Sequence, residues 1–477
     1  MSDTIAHCDR TSIGEHLKKT AEFYNAEPPR STWASRQYRQ ILAHYYRLLI
    51  PPDASVLEVG CAAGELLALL PNRNVTGIDV SEQQLERARK RVPHGRFFLA
   101  AGEEFDAAER FDYIILSDVI GIMADVQQLF SNLRRVTHRR TRLVMNYHNL
   151  LWRPLISLAT AFKLKTHQPP TSWFGRHDVR NLLWLGGWTM IQEQARIVCP
   201  LELLGLGPLL NRCLAPLLSP FCLSVFCVAR PNLEPVNPSP AVTVIVPARN
   251  EAGNIRAAVE RIPEFAGGTE IIFIEGHSRD GTWDEIERTR RSFPQRNIRI
   301  LRQTGTGKGN AVREGFAAAS GDILIILDAD LTVPPEELPK FCEVLASGRA
   351  EFVNGVRLVY PIEERAMQFF NLCANKAFGV LFSWILGQPV KDTLCGTKAL
   401  FRADYERIAA NRPYFGNFDP FGDFDLLFGA GKLSLHIVDL PIRYRDRQYG
   451  STNISRWRHG VLLLRMTIVG AGKLRFV

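Results

Sequence analysis

The stretch DILIILDAD, residues 322–330, places an apolar run between acidic residues. A short, uninterrupted run of isoleucine and leucine is typical of a strand buried on both faces of a parallel sheet. Asp328 and Asp330 follow the run. In an extended chain, residues i and i+2 point to one side. The stretch therefore predicts a buried strand whose carboxyl end presents two carboxylates to one space.

The same alternation of short apolar runs and helical patterns continues on both sides of a proline-rich stretch, RPNLEPVNPSP, residues 230–240. Alternating strand and helix patterns are typical of parallel sheets covered by helices. A segment rich in proline and asparagine, without periodicity, is typical of a linker. We therefore predict the α/β class, with two Rossmann-like domains at residues 1–230 and 241–477 joined by a linker at 231–240.

Charge and cysteine usage limit the partners and the compartment. The chain has 477 residues and a formal net charge of +9, which favours anionic partners such as phosphorylated substrates or anionic lipid. No block of five or six consecutive basic residues occurs, so we expect no nucleic-acid partner. Nine scattered cysteines without a CxxC pair, and no secretory signal pattern at the amino terminus, predict reduced thiols and a cytoplasmic location.

In the first region, the loop LEVGCAAG, residues 57–64, lies between a predicted strand and a predicted helix. Glycines at this position let the backbone approach a ligand at the helix N-terminus. The next strand ends at Asp79, in TGIDVSEQQLERA, residues 76–88. A carboxylate there can accept hydrogen bonds from both hydroxyls of a ribose. Taken alone, this pattern also fits a generic nucleotide-binding turn.

The two motifs together resemble class I S-adenosylmethionine-dependent methyltransferases, over about residues 40–150. The resemblance implies an S-adenosylmethionine cofactor held by Glu58, Gly60, Cys61, Gly64, Asp79 and, near the adenine, Glu103. Ala62 and Ala101 stand where this family usually has a glycine and an acidic residue. The alternative is therefore a domain that only binds the cofactor or acts as a scaffold. Methyl transfer requires alignment more than a base, and Asp118 and His148 are candidates to face the acceptor.

The second region carries polar motifs after successive predicted strands. They are PARNE at 247–251, EGHSRDGT at 275–282, TGTGKGN at 304–310, DAD at 328–330, VKDTLCGTKALF at 390–401 and YRDRQYGSTNIS at 444–455. A hard divalent cation prefers carboxylate ligands together with substrate phosphates and water. A pair of carboxylates after a strand is by itself also compatible with a solvated turn. The ordered set of motifs is far more specific than the DAD sequence.

In this order, the motifs resemble family two glycosyltransferases with the GT-A fold, and especially the polyprenyl-phosphate sugar transferases. The resemblance implies an inverting transferase that uses a UDP- or GDP-linked sugar and Mg²⁺ or Mn²⁺. Its metal ligands would be Asp328 and Asp330, and Arg447 would clamp a phosphate. The nucleotide sugar would be bound by Pro247, Arg249, Glu251, Glu275, Asp280, Lys308 and Asp328. Thr332 and Asn453 depart from the pattern of mannose synthases.

The acceptor decides whether a general base is needed. The oxygen of a polyprenyl phosphate is already anionic, whereas a sugar hydroxyl on a glycan precursor requires a base. Asp423 and Asp425, in FGDFDLLF at 421–428, are the candidates, and both would face the site if this segment were extended. Asp330, Asp423, Asp425 and Arg447 are thus the predicted catalytic residues.

Three apolar segments raise the question of a membrane. Residues 201–229 are interrupted by Pro208, Pro216 and Pro220, so we do not expect them to span a bilayer. Residues 369–386 and 457–469 mix basic and apolar residues. They favour peripheral attachment to the inner face of the cytoplasmic membrane, and the alternative is that both are helices packed in the protein core. The overall prediction is a bifunctional enzyme, and the alternative is a glycosyltransferase with an amino-terminal binding module.

Overall fold

A computed structural model describes residues 2–26, 32–162, 169, 171–232, 234, 237–360, 369–416, 422–447, 449 and 456–477. For residues 2–12, 369–373, 423 and 456–460 it describes the backbone alone. Apart from the last two residues, the chain divides into two compact units, Met1–Leu233 (unit 1) and Glu234–Arg475 (unit 2). Each unit is built around its own seven-stranded sheet.

Unit 1 contains the first seven strands: β1 Val56–Val59, β2 Val75–Asp79, β3 Arg96–Leu99, β4 Phe111–Ser117, β5 Thr137–His148, β6 Trp188–Arg196 and β7 Ser224–Pro231. Their order in the sheet is β3-β2-β1-β4-β5-β7-β6. β7 runs antiparallel to β5 and β6, whereas the other neighbours are parallel. The carboxyl ends of β1, β2, β4 and β5 therefore meet at one edge.

The helices of unit 1 are α1 Ser2–Ala26, α2 Trp33–Leu49, α3 Glu65–Leu69, α4 Glu82–Arg91, α5 Val126–Leu133, α6 Arg153–Ala161, α7 Arg176–Leu185 and α8 Leu206–Leu214. The prediction that Ser81 caps α4 is confirmed, since its side chain accepts a hydrogen bond from the backbone N–H of Gln84 at 3.3 Å. The stretch 201–229 forms α8 and much of β7, with short 3₁₀ turns, and no spanning helix.

Unit 2 contains β8 Val242–Ala248, β9 Thr269–Glu275, β10 Asn297–Arg302, β11 Ile323–Ile326, β12 Phe352–Val356, β13 Lys398–Phe401 and β14 Ile437–Pro441. Their order is β10-β9-β8-β11-β13-β12-β14. β13 is antiparallel to β11 and β12, and the other pairs are parallel. The carboxyl ends of β8, β9 and β11 therefore lie at a common edge.

The helices of unit 2 are α9 Ile255–Arg261, α10 Thr282–Ser292, α11 Lys308–Ala318, α12 Leu338–Ala346, α13 Phe369–Leu386, α14 Arg402–Ala410, α15 Asp423–Lys432 and α16 Arg456–Leu474. Among the described residues of the whole chain, no helix combines the length and the apolar character that crossing a membrane requires.

The strand β11 confirms the buried strand predicted from residues 322–327. Its side chains are fully buried and alternate between two cores. Leu324 and Ile326 pack with α11 and α15, whereas Ile323 and Ile325 pack with α9 and α12 on the opposite face. This period of two follows from the pleat of a strand. β11 is therefore rigidly held, and the residues that follow it start from a fixed position.

Candidate active sites

The loop after β1 in unit 1 requires its glycines. Gly60 and Gly64 have φ values of +71° and +67°, which L side chains rarely adopt. A Cβ at Gly60 would overlap the side chain of Val119, and one at Gly64 would lie 3.3 Å from the Cα of Ala88. The loop thus passes close to its neighbours and exposes backbone toward the strand-end edge. Ala62, in the same loop, has a φ of +43°, which is strained for a residue other than glycine.

Asp79, at the end of β2, fastens this loop. Its two carboxylate oxygens accept hydrogen bonds from the backbone N–H groups of Ala62 and Ser81, both at 2.9 Å. Burial raises the pKa of Asp79 above its ordinary value, although these hydrogen bonds oppose the shift. Each carboxylate oxygen has a further lone pair, so the group can still accept hydrogen bonds from a ribose.

Two further carboxylates that the sequence indicated are buried here. Burial raises the pKa of Glu58 to about 8, even though Arg39 acts in the opposite direction. The Oε2 atoms of Glu58 and Glu103 are buried and have no hydrogen-bond partner in the part of the chain that the structure describes. Oε1 of Glu103 accepts from the backbone N–H of Ala124 at 2.9 Å. Since buried acceptors are rarely left unsatisfied, these atoms fit a site completed by a bound polar group.

A polar network at the ends of β4 and β5 includes two tyrosines that the sequence analysis missed. Asn146 donates to Asp118 at 2.6 Å and accepts from the hydroxyl of Tyr46 at 2.7 Å. The hydroxyl of Tyr38 lies 2.7 Å from that of Ser224 and 3.5 Å from Asp118. His148 Nδ1 lies 3.5 Å from the same carboxylate. The two predicted acceptor-facing residues are therefore brought together, and α2 supplies the tyrosines.

Helix α1 also contributes to this region, although no motif in its sequence indicated a role. Ser81 donates to the side chain of Asn25 at 2.6 Å, and His16 Nε2 lies 3.0 Å from the carbonyl oxygen of Ile122. Burial, with a smaller contribution from the nearby Asp79 carboxylate, raises the pKa of Tyr24 to about 12. The amino-terminal helix thus lies beside the carboxyl ends of β2 and β4.

In unit 2, Asp328 lies two residues after the end of β11 and is paired with Lys308, the first residue of α11. The Nζ atom of Lys308 lies 2.6 Å from Asp328 Oδ1. Burial disfavours ionisation of Asp328, but Lys308, with Lys398 and Arg357 further away, lowers its pKa below the ordinary value. Gly396 leaves the space for this pair, because a Cβ there would overlap both Lys308 Nζ and Asp328 Oδ2. The carboxylate is therefore ionised at neutral pH.

Asp330 lies in a turn rather than in extended chain, so the expectation that Asp328 and Asp330 follow an extended i, i+2 geometry is wrong. Asp330 instead binds Arg447, whose Nη2 atom lies 2.6 Å from Asp330 Oδ2. Nη1 of the same guanidinium lies 3.0 Å from Glu251 Oε1. Arg447 thus links the residues after β11 to the residues after β8. Burial raises the pKa of Glu251, and Arg447 partly counteracts the shift.

Three of the residues predicted to bind the nucleotide sugar, Glu251, Glu275 and Asp280, form hydrogen bonds within the loops after β8 and β9. The backbone N–H of Glu251 donates to Thr282 Oγ1 at 3.0 Å, and that of Ala252 donates to Asp280 at 3.2 Å. Glu275, at the end of β9, accepts from the backbone N–H of Ser278 at 2.5 Å. Pro247 lies within β8, opposite Ile274, and Arg249 is exposed just beyond this strand. The structure therefore brings together the ends of β8 and β9, as the motif order predicted.

The condition under which Asp423 and Asp425 would both face the site is not met, because both belong to α15 and not to an extended segment. Residues two apart on a helix point in different directions. Asp425 is buried and accepts from Arg412 Nε at 2.8 Å. The side chain of Asp423 is outside the described residues. Gly422, just before it, packs on Gly309, next to Lys308. A base role for either aspartate stays a prediction.

The buried ion pair between Arg357 and Asp392 was not predicted from the sequence. Arg357, which follows β12, donates to both carboxylate oxygens of Asp392, at 2.8 and 2.9 Å. Asn375 donates to the same carboxylate at 2.8 Å. Burial disfavours the charge, but Arg357 holds the pKa of Asp392 at about 2. The pair anchors the segment 390–396, which includes the glycine beside Asp328 and Lys308.

The donor set suits a hard cation held jointly by protein and substrate. Within the described residues, no group of three or more histidine, cysteine, aspartate or glutamate side chains is arranged to hold a metal. Two carboxylates completed by phosphate oxygens and water are, however, the usual ligands of Mg²⁺. Asp328 and Asp330 are the residues that could supply such carboxylates, and each is paired here with a cationic side chain that also suits a diphosphate.

Models of known protein families match a range of residues in each of the two units. Residues 243–407 match the model described as "Glycosyl transferase family 2", and residues 57–143 match a "Methyltransferase domain". The chain joins a methyltransferase domain to a family 2 glycosyltransferase domain. The two matched ranges contain the loops after β1 and β2 and the loops after β8, β9 and β11, respectively. The prediction of two α/β domains of these two kinds is confirmed.

Curated relatives match the glycosyltransferase domain. A dolichol-phosphate mannosyltransferase of Pyrococcus furiosus is 29% identical over 45% of this chain and 59% of its own length. The enzyme of the same name from Saccharomyces cerevisiae is 39% identical over 22% of this chain and 40% of its length. An undecaprenyl-phosphate 4-deoxy-4-formamido-L-arabinose transferase of Serratia proteamaculans is 29% identical over 46% of this chain and 64% of its length. The chain thus spans less than two thirds of each of these relatives.

Solved structures of two kinds are similar to part of the chain. Glucosyl-3-phosphoglycerate synthase of Mycobacterium tuberculosis, with Mn²⁺ and UDP, aligns with 49% of this chain and 80% of its own, at 19% identity and a TM-score of 0.37. Magnesium protoporphyrin IX methyltransferase of Synechocystis, with bound SAH, aligns with 45% of this chain and 99% of its own, at 15% identity and a TM-score of 0.31.

Proposed function

We propose that the chain is a bifunctional transferase. Its glycosyltransferase domain would transfer a sugar from a UDP- or GDP-linked donor to a polyprenyl phosphate or a glycan precursor, with Mg²⁺ or Mn²⁺. Its methyltransferase domain would use S-adenosylmethionine, and the protein would work at the inner face of the cytoplasmic membrane. The cluster of Asp328, Lys308, Asp330 and Arg447 at the end of β11 carries the first proposal. The polyprenyl-phosphate relatives support the acceptor class.

In this proposal, Asp328 and Asp330 hold the metal, which neutralises negative charge on the leaving diphosphate when it is bound. Lys308 and Arg447 lie beside these carboxylates and can transfer their hydrogen bonds to phosphate oxygens. Glu251, Glu275 and Asp280 position the nucleoside. The backbone N–H groups of Ser278 and Ala252 donate to the carboxylates of Glu275 and Asp280. The side chains of Asn254 and Arg447 hold the carboxylate of Glu251. The acceptor oxygen then attacks the anomeric carbon opposite the leaving group, with inversion.

A polyprenyl phosphate needs no general base, because its attacking oxygen is already anionic. The carboxylate of Asp425, one of the two candidate bases, is paired with Arg412. This pairing agrees with an acceptor that needs no base. A glycan hydroxyl would instead require proton removal. Asp423 follows Gly422, which packs against α11, and stays the second candidate to be tested.

Removal of divalent cations should abolish sugar transfer. The test uses the full-length protein with membranes, labelled UDP- and GDP-sugars, and EDTA followed by excess Mg²⁺ or Mn²⁺. Label extracted into organic solvent should appear with one donor, fall by at least about 100-fold with EDTA and return with the metal. Transfer that survives EDTA would contradict the metal proposal. Metal-dependent label on a soluble or polymeric acceptor only would contradict the polyprenyl-phosphate acceptor and leave the donor site intact.

The methyltransferase domain should bind S-adenosylmethionine through Asp79. Because Asp79 both accepts from the loop at Ala62 and would bind the ribose, Asp79→Ala is expected to weaken binding about 10- to 100-fold, the loss of one or two hydrogen bonds to a charged group. Isothermal titration calorimetry measures the change. Asp53→Ala removes an exposed carboxylate at the other end of β1 and should leave the affinity unchanged.

The alternative is an amino-terminal domain that serves as a scaffold. The strained Ala62, in place of a glycine in the cofactor loop, is the observation that favours it. Absence of any calorimetric signal with the wild-type protein would decide for this alternative. Binding of the cofactor without methyl transfer to any lipid or glycan fraction would instead indicate a sensor or binding module.

A further inference from the structure

Helix α6 of unit 1 carries its apolar stripe on the side away from the protein. Leu151, Leu155, Leu158 and Phe162 follow one another at intervals of four, three and four residues, which places them on one helical face. They are 54–69% exposed. Trp152 and Ile156, on the adjacent face, pack against the core. The helix is thus fixed to the domain by one apolar face and presents a second one outward.

Helix α8 repeats this arrangement. Leu206 and Leu209 are 51% and 56% exposed, and their spacing with the exposed Cys213 again follows one helical face. Leu217, in the turn after the helix, is 64% exposed. Leu204, just before the helix, is fully exposed. Exposure of these leucines to water is unfavourable, because burying apolar surface lowers the free energy.

The two helices are joined through a short turn at 219–221. The indole of Trp152 donates to the carbonyl of Phe221 at 2.9 Å, and Asn149 donates to that of Pro220 at 2.8 Å. The backbone N–H of Leu218 donates to the carbonyl of Leu214, the last residue of α8, at 2.8 Å, and that of Phe221 donates to the carbonyl of Leu218 at 2.9 Å. Phe221 is itself 63% exposed. We name the exposed set the leucine surface: Leu151, Leu155, Leu158, Phe162, Leu206, Leu209, Leu217 and Phe221.

Charge and composition indicate what covers this surface. Residues 149–162 and 203–221 contain no aspartate or glutamate, whereas Arg153 and Arg212 lie within them and Lys163 and Lys165 follow in the sequence. Leucine and phenylalanine with basic residues are the composition of helices that lie in a membrane interface. Protein interfaces instead rely on tryptophan, tyrosine and arginine, with leucine under-represented among the residues that dominate binding.

We propose that the leucine surface docks unit 1 onto a bilayer that contains anionic phospholipid. The leucines would enter the boundary between headgroups and acyl chains, and the basic side chains would contact the phosphates. Both helices are nine residues long, which suits a position in the plane of the interface and is too short to span it. The inference rests on unit 1 alone and does not depend on the proposed sugar transfer.

The test is vesicle flotation of the full-length protein, with phosphatidylcholine vesicles compared with vesicles in which about one third of the lipid is phosphatidylglycerol. The wild type should float with the anionic vesicles and release at high salt. The double variant Leu155→Glu, Leu158→Glu should bind them at least about tenfold more weakly, since two apolar contacts become two like charges. Both side chains are more than half exposed, so thermal melting should be unchanged.

The matched control is Leu185→Glu, at the end of α7. Leu185 is 51% exposed, like the leucines that are replaced, but it precedes β6 and lies near the edge opposite the leucine surface. The length of β6, roughly 26 Å, separates the two places. This control should bind vesicles as the wild type does. Equal binding by the double variant would overturn the proposal, even if another segment binds membrane. A wild-type dimer that does not float, and that the double variant makes monomeric, would also overturn it and assign the surface to a second copy.

Discussion

Asp330→Ala is expected to lower the rate of sugar transfer by about 100- to 1,000-fold, the range for loss of a group that stabilises charge in a transition state. Asp330 is a proposed metal ligand, and it also holds Arg447 at 2.6 Å. Its removal would therefore disturb both positive groups that the leaving diphosphate needs. Transfer of label from the donor identified with the wild type measures the effect.

The control for this variant is Asp284→Ala, which removes an exposed carboxylate from the first turn of α10. It should retain wild-type activity, because Asp284 lies outside the strand-end cluster. The side chain of Asp330 is only 15% exposed and ion-paired, so the melting temperature of Asp330→Ala is measured as well, and the rates are compared only for folded protein. Retention of transfer within about threefold would exclude Asp330 from the donor site, given the magnitude expected for such a group.

The second large effect concerns stability. Asp392→Ala is expected to destabilise unit 2 by about 3–5 kcal/mol, the cost of breaking a buried ion pair by removing one partner. Asp392 is fully buried, and its loss leaves the guanidinium of Arg357 without its bidentate carboxylate. Hydrogen exchange of peptides from β11 and β13 in increasing urea reports on unit 2 alone and measures the change.

An exposed ion pair provides the comparison. Glu260→Ala removes the partner of Arg256 on α9, where both side chains are well exposed, and should hardly change the exchange of the same peptides. If Asp392→Ala changed the exchange equally little, water or a neighbouring group would have to accept the hydrogen bonds that Arg357 donates to Asp392. The role assigned to the pair in anchoring residues 390–396 would then be wrong.

The same carboxylate predicts a dependence on pH. Because Arg357 holds the pKa of Asp392 at about 2, below its unfolded value of 3.8, the ionised group contributes stability that is fully present above about pH 4. This contribution is lost as the pH falls toward about 2. The Asp392→Ala variant should therefore lose less stability than the wild type on acidification, as urea titrations at several pH values would show.

Much of this protein could be predicted from local sequence. The DILIILDAD stretch gave the position of β11, its burial and the two carboxylates at its end. The glycine loop followed by Asp79 gave the strand-end site of unit 1, and the order of the polar motifs gave the edge where β8, β9 and β11 end. These features depend on side-chain period, on glycine conformations and on the rule that parallel strands share an edge, all of which are local or topological.

The errors and omissions have a common physical cause. A turn at Asp330 and a helix from Asp423 replaced the extended segments that the i, i+2 argument required, because backbone direction after a strand depends on contacts from distant segments. Arg447 pairs with Asp330 across 117 positions, and Tyr46 with Asn146 across 100. The sequence by itself determined the fold class and which residue types line the two strand-end sites. Only the tertiary structure decided which charges pair and which leucines remain exposed, because both depend on neighbours that are remote in sequence.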